Sequence, residues 1–353
     1  MKISNIETPA LLLDIDLFNN NVNQMMERLR DKKVKLRPHF KTHKCTELSK
    51  ILIAKGAKGI TCSKLSEAEV LAEAGIQDIL IANQIVDPVK IERLAKLSLK
   101  SKITVCVDNK ENIEKLSQIA SRNGVLLFCL IEFDLGMKRC GVDTFEEVLE
   151  LAKLINASDN LKLEGIQAYA GHNTHVLDKQ KREAAAAVLE NKVAMLKSFL
   201  NDNGIRIKEI SGGGTGTAYI DADSEVYTEL QAGSFVYMDQ EYIRVSPAYN
   251  CSLTVLSCVI SVHGDRIVTD AGVKSCTIEQ GLPTVKELPQ ASISLSEEHG
   301  TIKVKDHNYR LMDKITYIPT HCCTTINLYD KMYIVKGDEV LDVYIVDGSC
   351  KSI

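Results

Sequence analysis

The chain has 353 residues, 45% of them apolar and 25% charged, with a formal net charge of -4. This is the profile of an ordinary globular protein, and so small a charge without Lys/Arg blocks argues against nucleic-acid binding. The longest apolar run, near residues 125–133, is far too short to span a bilayer. The opening MKISNIETPA lacks the apolar core of a signal peptide, and 11 scattered cysteines read as free thiols in a reducing compartment. A cytoplasmic protein is expected.

Taken in chain order, the first strand-like segment is TPALLLDID, which is expected to pair with the tail of the chain. Eight short apolar runs then alternate with amphipathic stretches: KLRP (35–38), GITCS (59–63), DILIAN (78–83), KITVCVD (102–108), VLLFCLIEFD (125–134), LEGIQAYAG (163–171), IKEISGGG (207–214) and LQAGSFVYM (230–238). The longest helical pattern, from residue 177, is expected to stop at Gly204. Strands that are apolar throughout suit a parallel sheet covered on both faces. Eight β-then-α units in about 200 residues match a (β/α)8 barrel of TIM type, with a doubly wound open sheet as the alternative. Beyond residue 240 the pattern alternates in strand fashion, and YIVKGDEVLDVYIVDG reads as a hairpin with a Gly-Asp turn. The expectation is a barrel over 13–239 and a mostly antiparallel β domain from 1–12 plus 240–353, without helices in the tail.

Barrels carry their chemistry at the C-terminal ends of the strands. The unusual residues fall there. Lys41 follows the first run within RPHFKTHK, Arg139 follows the fifth, Tyr169 and His172 end the sixth, SGGGTGT (211–217) follows the seventh, and QAGS (231–234) lies at the eighth. Glycines let backbone N–H groups approach an anion, and barrels often bind phosphate after strands 7 and 8. A lysine facing such a loop could form a Schiff base with a phosphorylated aldehyde cofactor. His39, His43 and Lys44 would then supply the positive field that frees its amine. The plainer reading of RPHFKTHK is a solvated basic loop. In PTHCCTTINLYD (319–330), His321 and Cys323 are two apart. On a strand both would face one side and could reach one metal ion, with Cys322 facing away.

Together these motifs resemble the D-threonine aldolase and D-serine dehydratase family, pyridoxal-phosphate enzymes of the alanine-racemase fold type. The resemblance runs from TPALLLDIDLFNNNV through LRPHFKTHK, EFDLGMKRCGV, GIQAYAG, SGGGTGT, LQAGSFVYMD and VTDAGVK to PTHCCTTINLYD. It implies that Lys41 carries pyridoxal phosphate and serves catalysis, with Arg139 and Tyr169 near the ring. It also implies that Ser211, Gly213, Gly214 and Thr215, with Gly233 and Ser234, cradle the phosphate. His321 and Cys323 match a metal pair, members are usually homodimers, and substrates are small D-3-hydroxy amino acids. Aldolases of the family resemble HCD at the metal site and dehydratases carry cysteine. Here the sequence is HCC, which points to β-elimination giving a keto acid and ammonia, and to zinc over manganese, because thiolate suits softer metals. The alternatives are retro-aldol cleavage to glycine and an aldehyde, with His172 or His175 as base, and racemisation using Tyr309, Tyr317 or Tyr329. A non-catalytic cofactor carrier ranks below these, since such proteins lack a β domain and a metal pair.

Overall fold

In the computed structural model, which describes residues 1–353, the chain divides into two compact units. One comprises Met26–Lys41, Leu48–Gly233 and Lys351–Ile353; the other comprises Met1–Met25, Thr42–Glu47 and Ser234–Cys350. The first strand, β1 (Ala10–Asp14), lies in the second of these and is described with it.

The larger unit is built on eight strands: β2 (Lys35–Leu36), β3 (Ile60–Cys62), β4 (Asp78–Gln84), β5 (Lys102–Val107), β6 (Leu127–Glu132), β7 (Leu161–Ala168), β8 (Glu209–Gly212) and β9 (Glu229–Leu230). Each of the eight apolar runs contributes one. All pair in parallel, in the order β2-β9-β8-β7-β6-β5-β4-β3. Backbone bonds just beyond β2 bring the two ends of this sheet together. Lys58 N–H donates to Leu36 O at 2.8 Å, Thr61 N–H donates to Pro38 O at 3.0 Å, and His39 and Thr61 form a parallel bridge. The sheet therefore closes, and the open-sheet alternative falls. Helices cover its outer face, as the two-sided burial of strands such as β5 requires. Their ends are fixed locally. Asn109 caps Lys110–Asn123, Thr144 and Glu147 form a capping box on Phe145–Asn156, and Asp178 caps Lys179–Asp202. Gly204 ends the last of these at φ +78°, a left-handed turn where glycine carries no penalty.

The paired strands β2 and β9 are only two residues long, so side chains reinforce this part of the barrel. Arg37, directly after β2 and 4% exposed, donates to Glu229 at 3.0 Å and to both oxygens of Asp78 at 2.9 and 3.2 Å. Burial alone would lower the Arg37 pKa, but Glu229 and Asp78 outweigh it and hold the guanidinium above its ordinary range. Lys58 adds pairs to Glu209 at 2.6 Å and Glu229 at 3.0 Å.

In the other unit β1 is sandwiched between β10 (Leu253–His263), antiparallel, and a C-terminal strand, parallel, as the opening TPALLLDID anticipated. The sheet continues through β11 (Arg266–Thr269), β12 (Thr284–Val285), β13 (Ser292–Leu295), β14 (Gly300–Lys303), β15 (Lys314–Ile318), β16 (Lys331–Lys336) and β17 (Glu339–Ile345). Its order is β13-β14-β11-β10-β1-β16-β17, with β15 joining β10 to β12. The β16–β17 hairpin turns at Gly337, φ +56°, and Asp338, where the Gly-Asp turn was expected.

Two expectations are corrected here. The run 230–238 continues as strand only to Leu230 and then turns through Ser234–Val236. The tail is also not free of helix, since Gln240–Val245 and Cys322–Ile326 are helical. Asp239 accounts for the two helices. It is fully buried, and its carboxylate accepts the N–H of Tyr242 and the N–H of Cys322, each at 2.9 Å, at the two helix N-termini.

Removing one partner from a buried ion pair strands the other charge, at a cost of roughly 3–5 kcal/mol. Glu229→Ala is therefore expected to lower unfolding free energy by about 3 kcal/mol, read from the urea midpoint. Replacing the exposed Lys35 on the neighbouring strand β2 is expected to leave that midpoint nearly unchanged.

Candidate active site

Lys41 is exposed, whereas residues 36–40 are buried. A hydrogen bond from its backbone N–H to His39 Nδ1, at 3.3 Å, anchors it. The other His39 ring nitrogen meets Ser63 Oγ at 3.3 Å, at the end of β3. His39 thus holds the lysine backbone in place. His43 does not play the electrostatic part expected of it. Burial pushes its pKa down to about 3, against a raising influence from Cys323, so it is neutral and contributes no positive field. The ammonium of Lys44 is committed to the Gly348 carbonyl at 3.0 Å.

Tyr169, the residue after β7, gathers the neighbouring groups of the barrel. Lys41 Nζ lies 6.0 Å from its ring centre and the Arg139 guanidinium 5.8 Å from it. Arg139 rides on a loop shaped by Asp134, whose carboxylate accepts the N–H groups of Gly136, Met137 and Lys138 at 2.8, 2.7 and 2.9 Å. The glycine run after β8 reaches the same ring. A Cβ on Gly214 would stand 3.8 Å from Tyr169 and 2.8 Å from the Thr174 methyl; one on Gly216 would meet Thr174 O at 1.8 Å. Only glycine allows this approach. Gly213 takes φ +66°, Thr215 is buried, and the Thr217 hydroxyl accepts Gly214 N–H at 3.3 Å. Ser211 sits lower, within β8, with its hydroxyl accepting from Gln231 at 2.8 Å. Gly233 is buried beyond β9. A reachable amine, an aromatic ring, a guanidinium and a close-packed glycine loop on four strand ends suit an aldehyde cofactor with an anionic tail.

His321 and Cys323 lie in the other unit, and not on a strand as expected. His321 is the N-cap of the helix Cys322–Ile326 and Cys323 is in its first turn. Their side chains nonetheless meet in a hydrogen bond. Thr42 Oγ1 and Ser234 Oγ approach Cys323 Sγ at 3.3 and 3.8 Å. Ser234 therefore stands with the cysteine. Cys322 is fully buried. Burial lowers the His321 pKa, but Cys323, Asp239 and Glu279 raise it to about 9. His321 Nδ1 contacts Glu279 Oε1 at 2.7 Å, and the Thr324 hydroxyl donates to the same oxygen. A carboxylate on one ring nitrogen leaves the other free to ligate, which is how metal-binding histidines are commonly oriented. No third His, Cys, Asp or Glu completes a ligand cluster, so the donor set suits a borderline-soft cation that keeps positions for water or substrate.

Residues 13–241 match the family described as alanine racemase, N-terminal domain, and 252–335 match the putative serine dehydratase domain. The chain is 36% identical to a 3-hydroxy-D-aspartate aldolase of Paracoccus denitrificans, covering 99% of this chain and 94% of the relative. It is 37% identical to a D-threonine aldolase of an Arthrobacter species, covering 98% and 93%. The chain belongs to the D-threonine aldolase and D-serine dehydratase family. The crystal structure of D-threonine aldolase from Filomicrobium marinum superposes with a TM-score of 0.96 at 34% identity, over 100% of this chain and 98% of that one. A D-threo-3-hydroxyaspartate dehydratase of a Delftia species is more distant, at 27% over 91% of this chain and 92% of the relative. Membership makes the protein a pyridoxal-phosphate-dependent lyase. No helix is long and apolar enough to cross a membrane.

Within this family frame, two of the tyrosines considered for racemisation are engaged elsewhere. Tyr317 shares a 2.6 Å hydrogen bond with Thr269, and Tyr329 donates to Ser275 O at 2.8 Å. Burial pushes both phenols above their ordinary pKa, Tyr317 to about 12. Nothing in the local pattern marked Glu279, which is 42 residues from His321 in sequence. Losing such an orienting carboxylate typically costs a roughly 10- to 100-fold loss of metal affinity. Glu279→Ala is expected to show a loss of that size in zinc affinity, measured by competition with a chromogenic chelator.

Proposed function

We propose that this enzyme cleaves the Cα–Cβ bond of a D-3-hydroxy amino acid, releasing glycine and an aldehyde. The observation carrying this reading is the full-length similarity to aldolases, 36–37% identical, against 27% for the dehydratase. Lys41 Nζ would hold the coenzyme, and Arg139 and Tyr169 would border its ring. The 211–217 loop, with Gly233 and Ser234, would receive its phosphate. Bound pyridoxal phosphate supplies an electron sink for the pair left at Cα when the bond breaks. A divalent cation on His321 and Cys323 would supply Lewis-acid polarisation of the 3-hydroxyl. The thiolate favours zinc. His172 is an exposed imidazole on the turn after β7, its backbone N–H donating to Met137 Sδ at 3.2 Å. It, or the equally exposed His175, would take the hydroxyl proton, and Lys41 Nζ would return one to Cα.

Cys323 favours a second reading, β-elimination. There Lys41 Nζ would remove the Cα proton and the 3-hydroxyl would depart as water; the enamine left would tautomerise to an imine, which a second water hydrolyses to a keto acid and ammonia. Incubation with D-threonine is expected to yield glycine and acetaldehyde without keto acid. Keto acid without glycine would transfer the protein to the second reading. Activity is expected to vanish on chelation and to return with zinc. Cys323→Asp, which restores the aldolase-type pair, is expected to raise the ratio of cleavage to elimination and to shift the preferred metal from zinc towards manganese.

A further inference from the structure

Behind the glycine loop, between the barrel wall and the helix Lys179–Asp202, lies a cavity of about 20 Å³. Asn173, Gly213, Thr217, Asp221 and Tyr227 line it, with a few apolar side chains. That volume admits one water-sized species. Asn173 is 2% exposed, and its Nδ2 donates to Arg182 O at 3.1 Å. This fixes Oδ1 as the acceptor, and Oδ1 has no hydrogen-bond partner. Asp221 is 8% exposed. Its Oδ2 accepts the Thr217 hydroxyl at 2.6 Å.

No basic side chain pairs with Asp221. The charged group that bears on it is a second carboxylate, Glu190, itself bound by the Ser224 hydroxyl at 2.6 Å. Arg182, the buried guanidinium nine residues from Asn173, directs its two terminal nitrogens to the carbonyls of Val176 and Leu177 and to Tyr219. A buried carboxylate beside an unsatisfied amide oxygen, without a cation, is an expensive arrangement unless something positive completes it. We propose that a monovalent cation, Na+ or K+, binds in this cavity on Asp221 and Asn173. The side-chain acceptors that line it, on Asn173, Thr217 and Asp221, are all oxygens, which suits a hard ion. A single buried carboxylate in a one-ion space balances a single charge, whereas Mg2+ would bring several waters for which there is no room. Burial holds Asp221 at about pKa 7, and the ion would keep it charged. Thr217 bonds Asp221, and a Cβ on Gly213 would lie 2.7 Å from Asp221 Oδ2. The ion would therefore brace the glycine loop. Any coupling to coenzyme affinity rests on the phosphate role proposed for that loop.

The test uses the full-length protein freed of coenzyme and metal, so its outcome is separate from that of the proposed function. Thermal unfolding is followed while NaCl or KCl replaces choline chloride at constant ionic strength. One of the two ions is expected to raise the midpoint saturably by ~2 °C or more. That rise is expected to disappear in Asp221→Asn and in Asn173→Ala. Equal midpoints in all three salts, or a rise that persists in both variants, would overturn the site. If neither variant folds, a thallous-ion soak of wild-type crystals decides. An anomalous peak in the cavity supports the proposal and its absence overturns it.

Discussion

Closure of the parallel sheet depends on Arg37. The two strands at the seam, β2 and β3, contribute two and three residues, too little backbone to hold a barrel shut on their own. The guanidinium spans the gap, binding Glu229 on β9 and Asp78 on β4, while Lys58 ties Glu229 to Glu209 on β8. Two cations and three carboxylates share this floor, and the two that are buried, Arg37 and Glu229, compensate each other directly. Lys41 lies four residues further along the chain. The bonds that fix β2 therefore also fix the point from which the Lys41 side chain emerges, through Pro38, His39 and the short helix Phe40–His43.

Separation of stability from chemistry follows from the barrel. The ionic floor lies at one end of the strands and the chemistry-bearing residues at the other. At the rim, Tyr169 is the common neighbour of the amine, the guanidinium and the glycine loop. The candidate metal pair, His321 and Cys323, rests on a different device. Asp239 fastens the N-termini of two short helices, and Glu279 fixes the ring of His321. Lys41, Arg139 and His321 are thus each positioned by a neighbour, His39, Asp134 and Glu279, with no direct chemical part.

The eight barrel strands were legible because burial on both faces leaves continuous apolar runs, and the β1 pairing was legible because TPALLLDID had no helical period. What escaped detection was short or distant. Cys322–Ile326 is five residues, less than two turns, so no 3.6-residue period could show. The roles of Glu279 and Arg37 depend on partners 42 and 192 residues away, which single-sequence patterns do not pair. RPHFKTHK read as one positive patch, yet its members diverge on folding. Arg37 is an interior strut, His39 a backbone clasp and His43 a neutral buried ring. Charge counted along a sequence assumes solvent exposure, and only Lys41 has it here.

Choice of reaction sets one residue, Cys323, against similarity spread over the whole chain. A single ligand can alter which bond is polarised best, but the surrounding pocket decides which substrate is held. Both readings need the coenzyme on Lys41. The most direct measurement is borohydride reduction of the holoenzyme, proteolysis and mass mapping of the pyridoxyl group. The account predicts the adduct on the peptide containing Lys41 and nowhere else. An adduct on any other lysine, with Lys41 unmodified, would contradict it.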